Sequence, residues 1–213
     1  MTTSATTEAI AELARRVEIT CKARYHAARR LNSHNWFSQW TLALLAVGQI
    51  TLAVVSALKL PTNFSQSQND FGAIFFGVLV LAYSLLLGMS NFAARAVKIH
   101  ECGLELGRLV RKLYFAEKAG SLTQQEYDEL SSHYYNVLDK HENHTRTDYL
   151  VAHFEYYQGR GYRKDEEPTN LDRVKLFLVR LKIYLFHALG FSHYVISLAL
   201  LAGWSYYLLA GAV

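Results

Sequence analysis

Proline and cysteine are almost missing from this chain of 213 residues, with two of each. The prolines, Pro61 and Pro168, fall in polar stretches, so the rest of the chain is free to form long unbroken helices. Cys21 and Cys102 are too few for a disulfide scaffold or a cysteine-rich zinc site, and both fall on what the charge pattern below makes the reducing side. No glycine-rich phosphate loop and no nucleophile elbow occurs. The sequence therefore offers no active site, and neither an enzyme nor a cofactor is expected.

Charge is missing in a patterned way. All 40 charged residues lie outside three windows: 40–58 with 19 residues, 71–94 with 24, and 188–213 with 26. A helix rises ~1.5 Å per residue, so about 20 residues cross a ~30 Å hydrocarbon core. A buried helix of a soluble protein of this length normally carries a charge on a solvent face, and few other elements remain to cover three of them. The expected fold class is an all-α integral membrane protein with three transmembrane helices. The 39 mostly polar residues before the first window do not fit a cleaved signal peptide.

Lysine and arginine set the expected orientation. Residues 1–39 hold six, 59–70 hold one, 95–187 hold fifteen, and none follows. By the positive-inside rule the N-terminus and 95–187 are cytoplasmic, and the 59–70 loop and the C-terminus lie outside. Taken as a single domain over 1–213, the chain divides into a cytoplasmic amphipathic helix at 1–39, spans at 40–58 and 71–94, a cytoplasmic region at 95–187, and a third span at 191–212. The expected location is an inner or plasma membrane.

The polar regions read as helices. Ile10, Leu13, Val17 and Cys21 recur at helical spacing. Residues 95–119 continue the second span, with Val97, Leu104, Leu106, Leu109, Val110 and Leu113 as an apolar stripe. Thr123 and Glu126 form a capping box that starts a second helix running towards Gln158, with Tyr127, Leu130, Tyr134, Leu138 and Leu150 on its stripe. A turn at Gly120–Ser121 makes the two an antiparallel hairpin. Gly159–Asn170 reads as a loop. Beyond it, Leu171, Val174, Leu178, Leu181 and Leu185 alternate in steps of three and four. Arg173, Lys175, Arg180 and Lys182 take other positions on this juxtamembrane helix. Such a helix either contacts anionic lipid headgroups or packs on the hairpin.

Four histidines, His133, His141, His144 and His153, crowd one region, but His141 and His144 stand three apart where a zincin pair stands four apart. Solvated histidines are the expectation, and no metal site is assigned. The spans lack Asp and Glu, which argues against a proton-coupled carrier. They do carry a stripe of small and polar residues. Gly77, Ser84, Gly88 and Asn91 share one face of the second span, Gln49 and Ser56 stand seven apart in the first, and Ala199 and Gly203 stand four apart in the third. Such a stripe either packs helices closely or lines a narrow polar path between copies of the chain.

The layout also carries a resemblance. The segment CKARYHAARRLNSHNWFSQW leads into two spans, and AARAVKIHECGLELGRLVRKLY follows them. This resembles the SLATT family of two-transmembrane effector domains that accompany nucleotide-signalling and other bacterial defence modules. The third span and HYYNVLDKHENHTRTDY look most like the subgroup that accompanies reverse transcriptases. The resemblance implies a pore-forming or membrane-disrupting effector of anti-phage defence, acting by homo-oligomerisation and depolarisation when a cytosolic partner or a nucleotide-derived trigger signals infection. It carries no catalytic residues, and no direct nucleic-acid binding is expected. The alternative is a non-conducting membrane scaffold whose hairpin recruits a partner.

Overall fold

A computed structural model of the chain describes residues 2–119, 123–159 and 170–210. All regular structure among them is helical: α1 (Thr2–Ala57), α2 (Gln66–Ser90), α3 (Phe92–Ala119), α4 (Gln124–Asp139), α5 (Arg146–Gly159) and α6 (Asn170–Leu209). The all-α class stands, with three helices long and apolar enough to cross a membrane. The Gly120–Ser121 turn and residues 160–169 of the expected loop lie outside the described residues.

Helix boundaries depart from the sequence reading in five places. The N-terminal helix and the first span are one helix of 56 residues, because nothing between them breaks the backbone ladder. That helix ends on Lys59 in the left-handed region, φ 49°, with the Leu60 N–H bonded to the Val55 carbonyl at 3.2 Å and Pro61 following. The second span starts five residues early, at Gln66, where Ser65 and Gln68 form a capping box. It does not run unbroken into α3: Asn91 caps it in the left-handed conformation, φ 45°, a state Asn tolerates better than most residues. The expected long helix after Thr123 is two helices, because Thr145 and Asp148 form a further capping pair at 3.0 and 3.3 Å that opens α5. Finally, the juxtamembrane helix and the third span are one helix of 40 residues.

The chain forms two compact units. The first combines residues 1–31 with 93–186 and the second 32–92 with 187–213. In the first, Ile10, Leu13, Val17 and Cys21 of α1 pack on Leu106, Leu109 and Leu113 of α3 and Tyr134 and Val137 of α4. Val97 and Leu104, assigned to that stripe from the sequence, are exposed; the buried face of α3 includes Ala96, Ile99 and Cys102 instead. Small residues permit this: the Tyr25 ring lies where a side chain on Gly103 would begin, 3.0 Å from an ideal Cβ. Ile19 and Ala23 of α1 form a separate contact with Ala152 and Tyr156 of α5.

Polar contacts hold the α4–α5 connection to the same unit. Arg24, 2% exposed, donates to the Glu142 carbonyl, and Arg95 pairs with the Glu142 carboxylate. Arg30 binds both oxygens of buried Asp148 at 3.1 and 3.0 Å. Burial alone would push the Asp148 carboxyl up, but the Arg30 and Thr145 hydrogen bonds outweigh it and hold it below the usual range. The hydrogen bond from Arg95 likewise lowers Glu142.

Candidate functional site

The second unit contains the three charge-poor helical stretches, and its interior is built in layers. Leu45, Leu52 and Val55 of α1 meet Phe76 and Tyr83 of α2 and Tyr194 and Leu208 of α6. Glycines set the spacing. An ideal Cβ on Gly48 would fall 2.4 Å from Leu201 Cδ1, and one on Gly72 would fall 2.5 Å from Trp204 Cζ2. Both neighbours occupy the space a side chain would need, so close helix approach depends on these two positions.

Polar groups sit at both ends of this interior. At one end His34 stacks on Phe191, with centroids 4.2 Å apart and planes at 5°, and its Nδ1 lies 3.3 Å from the Tyr194 hydroxyl. The Tyr83 hydroxyl donates to the His193 carbonyl at 3.0 Å and lies 2.8 Å from the Ser197 hydroxyl. His34, Tyr83, His193 and Tyr194 border a cavity of about 220 Å³ that also touches Ser38, Ser90 and Phe92. At the other end Asn69 Nδ2 donates to Thr62, Asn63 donates to the Tyr207 carbonyl, and Phe64 stacks on Trp204. Between the ends the filling is mainly apolar, with Leu45 and Phe76 0% and 1% exposed, although the Gln49 Oε1 is buried there too. One chain by itself thus has a plugged interior.

The sequence-selected residues separate on this frame. Gln49 lies against Gly77, whose ideal Cβ would be 3.4 Å from Gln49 Nε2, and the Gln49 Oε1 is buried with no hydrogen-bond partner. Ser56 belongs to the loop end, donating to Asp70 at 2.9 Å and accepting from Gln66 at 2.7 Å. Ser84, Gly88 and Asn91 are exposed, and nothing stands within 4 Å of an ideal Cβ on Gly88 or on Gly203. The six polar and small residues therefore share no single lining within one chain.

Among the basic residues of α6, Arg180 stacks over Phe154 at 5.1 Å and Lys182 over Phe186 at 5.9 Å. The side chains of Arg173 and Lys175 lie outside the described residues. The leucines of that stretch, Leu178, Leu181 and Leu185, are exposed. The four histidines also stay apart. His133 approaches Glu105 at 3.8 Å, while His144, Tyr149, His153 and Tyr157 form a ladder of rings. No group of three or more His, Cys, Asp or Glu among the described residues is placed to hold a metal ion.

Sequence reasoning missed the layered interior. A small-xxx-small spacing points to Gly88 and not to Gly48 or Gly72, because spacing shows which residues lie on one face, not which face is used. Tyr83, Tyr194 and Ser197 did carry a signal, as hydroxyls inside charge-free windows where each needs a partner.

Fold and interior define an all-α membrane protein whose spans form one packed unit. Residues 6–202 match the model of family 5 of the SMODS and SLOG-associating 2TM effector domains. The chain belongs to this effector-domain family. No curated protein and no solved structure matches it. The family description names two transmembrane helices, whereas the matched region here also takes in most of α6, the third helix apolar enough to span.

Proposed function

We propose that the chain is a pore-forming or membrane-disrupting effector of a bacterial anti-phage defence system, acting by oligomerisation and depolarisation of the inner membrane. One observation carries the reading beyond family membership. The interior of a single chain is plugged by Leu45 and Phe76, while the Ser84–Gly88 face of α2 points away from the chain's own helices. A polar path therefore has to form between copies. The N-terminus and the 93–186 region face the cytoplasm in this reading, on the lysine and arginine count, and the C-terminus faces out. The trigger is a cytosolic signalling partner or a nucleotide-derived molecule, and a reverse-transcriptase module is one candidate source. It must bind the open and closed states differently to shift their balance.

Membrane potential in cells tests this. Activated wild-type protein depolarises them, and Gly88→Leu does not. Because Gly88 faces open space, that substitution leaves the single chain intact and helix propensity rises by up to about 1 kcal/mol. Unchanged potential with activated wild type would leave the non-conducting scaffold as the better reading.

A further inference from the structure

Helix α6 carries two heptad faces, and one chain uses only one of them. The used face steps by threes and fours through Tyr194, Ser197, Leu201, Trp204 and Leu208, all buried or half-buried in the apolar unit. The second face follows the same steps through Val174, Leu178, Leu181 and Leu185, which are 54%, 55%, 42% and 54% exposed. Leu171 begins this series in the sequence, though its side chain lies outside the described residues. The register continues without a slip to Ala188, Ser192, Val195, Ala199 and Ala202, of which only Ser192 is half-buried. At about 103° per residue in a 3.5-residue repeat, the two faces lie on nearly opposite sides of the helix.

Three observations decide what covers the second face. From Phe177 to Leu208 helix α6 runs for 32 residues, ~48 Å at ~1.5 Å per residue, with Arg180 and Lys182 near its start. A hydrocarbon core of ~30 Å covers that length only at a tilt beyond the usual ~40°, so lipid leaves part of the face bare. The 3.5-residue period is the second observation: it keeps a seam facing a partner helix over many turns, a constraint lipid does not impose. The third is size. Beyond Leu185 the seam is mostly Ala, and Gly203 beside it has nothing within 4 Å of an ideal Cβ. Small residues let two backbones approach, whereas contact with lipid tails has no need of them.

We propose that this face of α6 pairs with the same face of a second copy of the chain in a parallel, left-handed coiled coil. The pair is parallel because copies inserted with one orientation run their helices the same way. Leu178, Leu181 and Leu185 interlock at one end and the alanines close the other. Lys182 falls beside the seam, and Arg180 lies on the opposite side, in heptad register with Tyr194 and Leu201 and stacked over Phe154, so neither charge enters the seam. The inference rests on the self-association in the proposed function, not on conduction. The Gly88 face of α2 remains free for a second, different contact, which a subunit needs to build beyond a dimer.

Single cysteines in the full chain, oxidised in native membranes, test the pairing. Leu181→Cys, Leu185→Cys, Val195→Cys, Ala199→Cys and Ala202→Cys form disulfide-linked dimers, while Phe186→Cys and Leu200→Cys, exposed but off the seam, do not. The natural Cys21 and Cys102 are buried, and wild type is the control. Equal cross-linking at all sites, none at the seam, or cross-linking confined to 181 and 185 overturns the pairing. In a Gly88→Leu background, which removes the second contact, Ala199→Phe, helical by circular dichroism, runs as a monomer in mild detergent by light scattering, whereas Leu200→Phe stays dimeric. Retained assembly of Ala199→Phe in that background also overturns it. Seam cross-links with an unchanged membrane potential uphold the pairing and remove conduction, and depolarisation without seam cross-links does the reverse.

Discussion

The two units solve the same problem, packing helices, with opposite means. In the unit of residues 1–31 and 93–186, aliphatic side chains fill a core and arginines grip the α4–α5 connection through carboxylates. In the unit of residues 32–92 and 187–213, glycines admit an indole and a leucine into backbone space, and large side chains such as Met89 at 83% exposed face outward. A water-facing unit gains from burying what is apolar. A unit in lipid gains little that way, and depends on close fit and satisfied polar groups.

The comparison fails if truncating a buried leucine of the first unit costs no more than truncating an outward-facing leucine of the second. Leu106→Ala, at a position 0% exposed in the first unit, should cost about 4 kcal/mol, within the range for fully buried leucines. Leu81→Ala, 60% exposed on α2, should cost almost nothing. Chemical denaturation followed by hydrogen exchange assigns each loss to its unit.

Asp148→Ala leaves Arg30 unpaired and opens the α5 cap, and should cost about 3 kcal/mol, near the lower end for breaking a buried pair. Loss of exchange protection confined to α5 and the neighbouring part of α1 would sharpen the contrast. Uniform loss over both units would blur it.

Gly72→Ala should cost about 2 kcal/mol by overpacking against Trp204, visible as a shift in indole fluorescence. The same change at Gly88 should be neutral or slightly stabilising in detergent-solubilised protein. If the two behave alike, the glycines of the second unit are not its spacing device.

Acid separates the units more gently. Burial, then the Arg24 charge, lowers the His144 pKa below its ordinary 6.5, and burial, then Arg15, lowers that of His153. The unfolded chain therefore takes up these protons first, and stability of the first unit falls as pH drops below 6.5. The depressed carboxyls of Glu142 and Asp148 continue the loss as pH falls below their ordinary 4.5 and 3.8. Exchange rates measured from pH 7 to pH 4, corrected for intrinsic chemistry, should rise first in α5. A faster rise in α2 would contradict the assignment.

Much of this was legible in the sequence because it depends on local rules. Charge-free windows long enough to cross a membrane, the capping box at Thr123–Glu126 and the α1 stripe from Ile10 to Cys21 each follow from residue type and spacing. The capping pairs at Ser65–Gln68 and Thr145–Asp148 obey the same rule and were equally readable. The left-handed Asn91 was not, since Asn adopts that conformation only where packing on either side demands it.

What the sequence determined by itself was the all-α class, the three apolar helices and the uneven distribution of charge, since hydropathy and period are properties of the chain alone. Tertiary structure alone decided which of two equivalent faces each helix uses. Gly72 and Gly88 are the same residue on one helix, and only the position of Trp204 makes one a contact and leaves the other open. The two heptad faces of α6 read alike in sequence as well. One is filled by neighbouring helices and the other is not, because a helix period states which residues align but not what stands across from them.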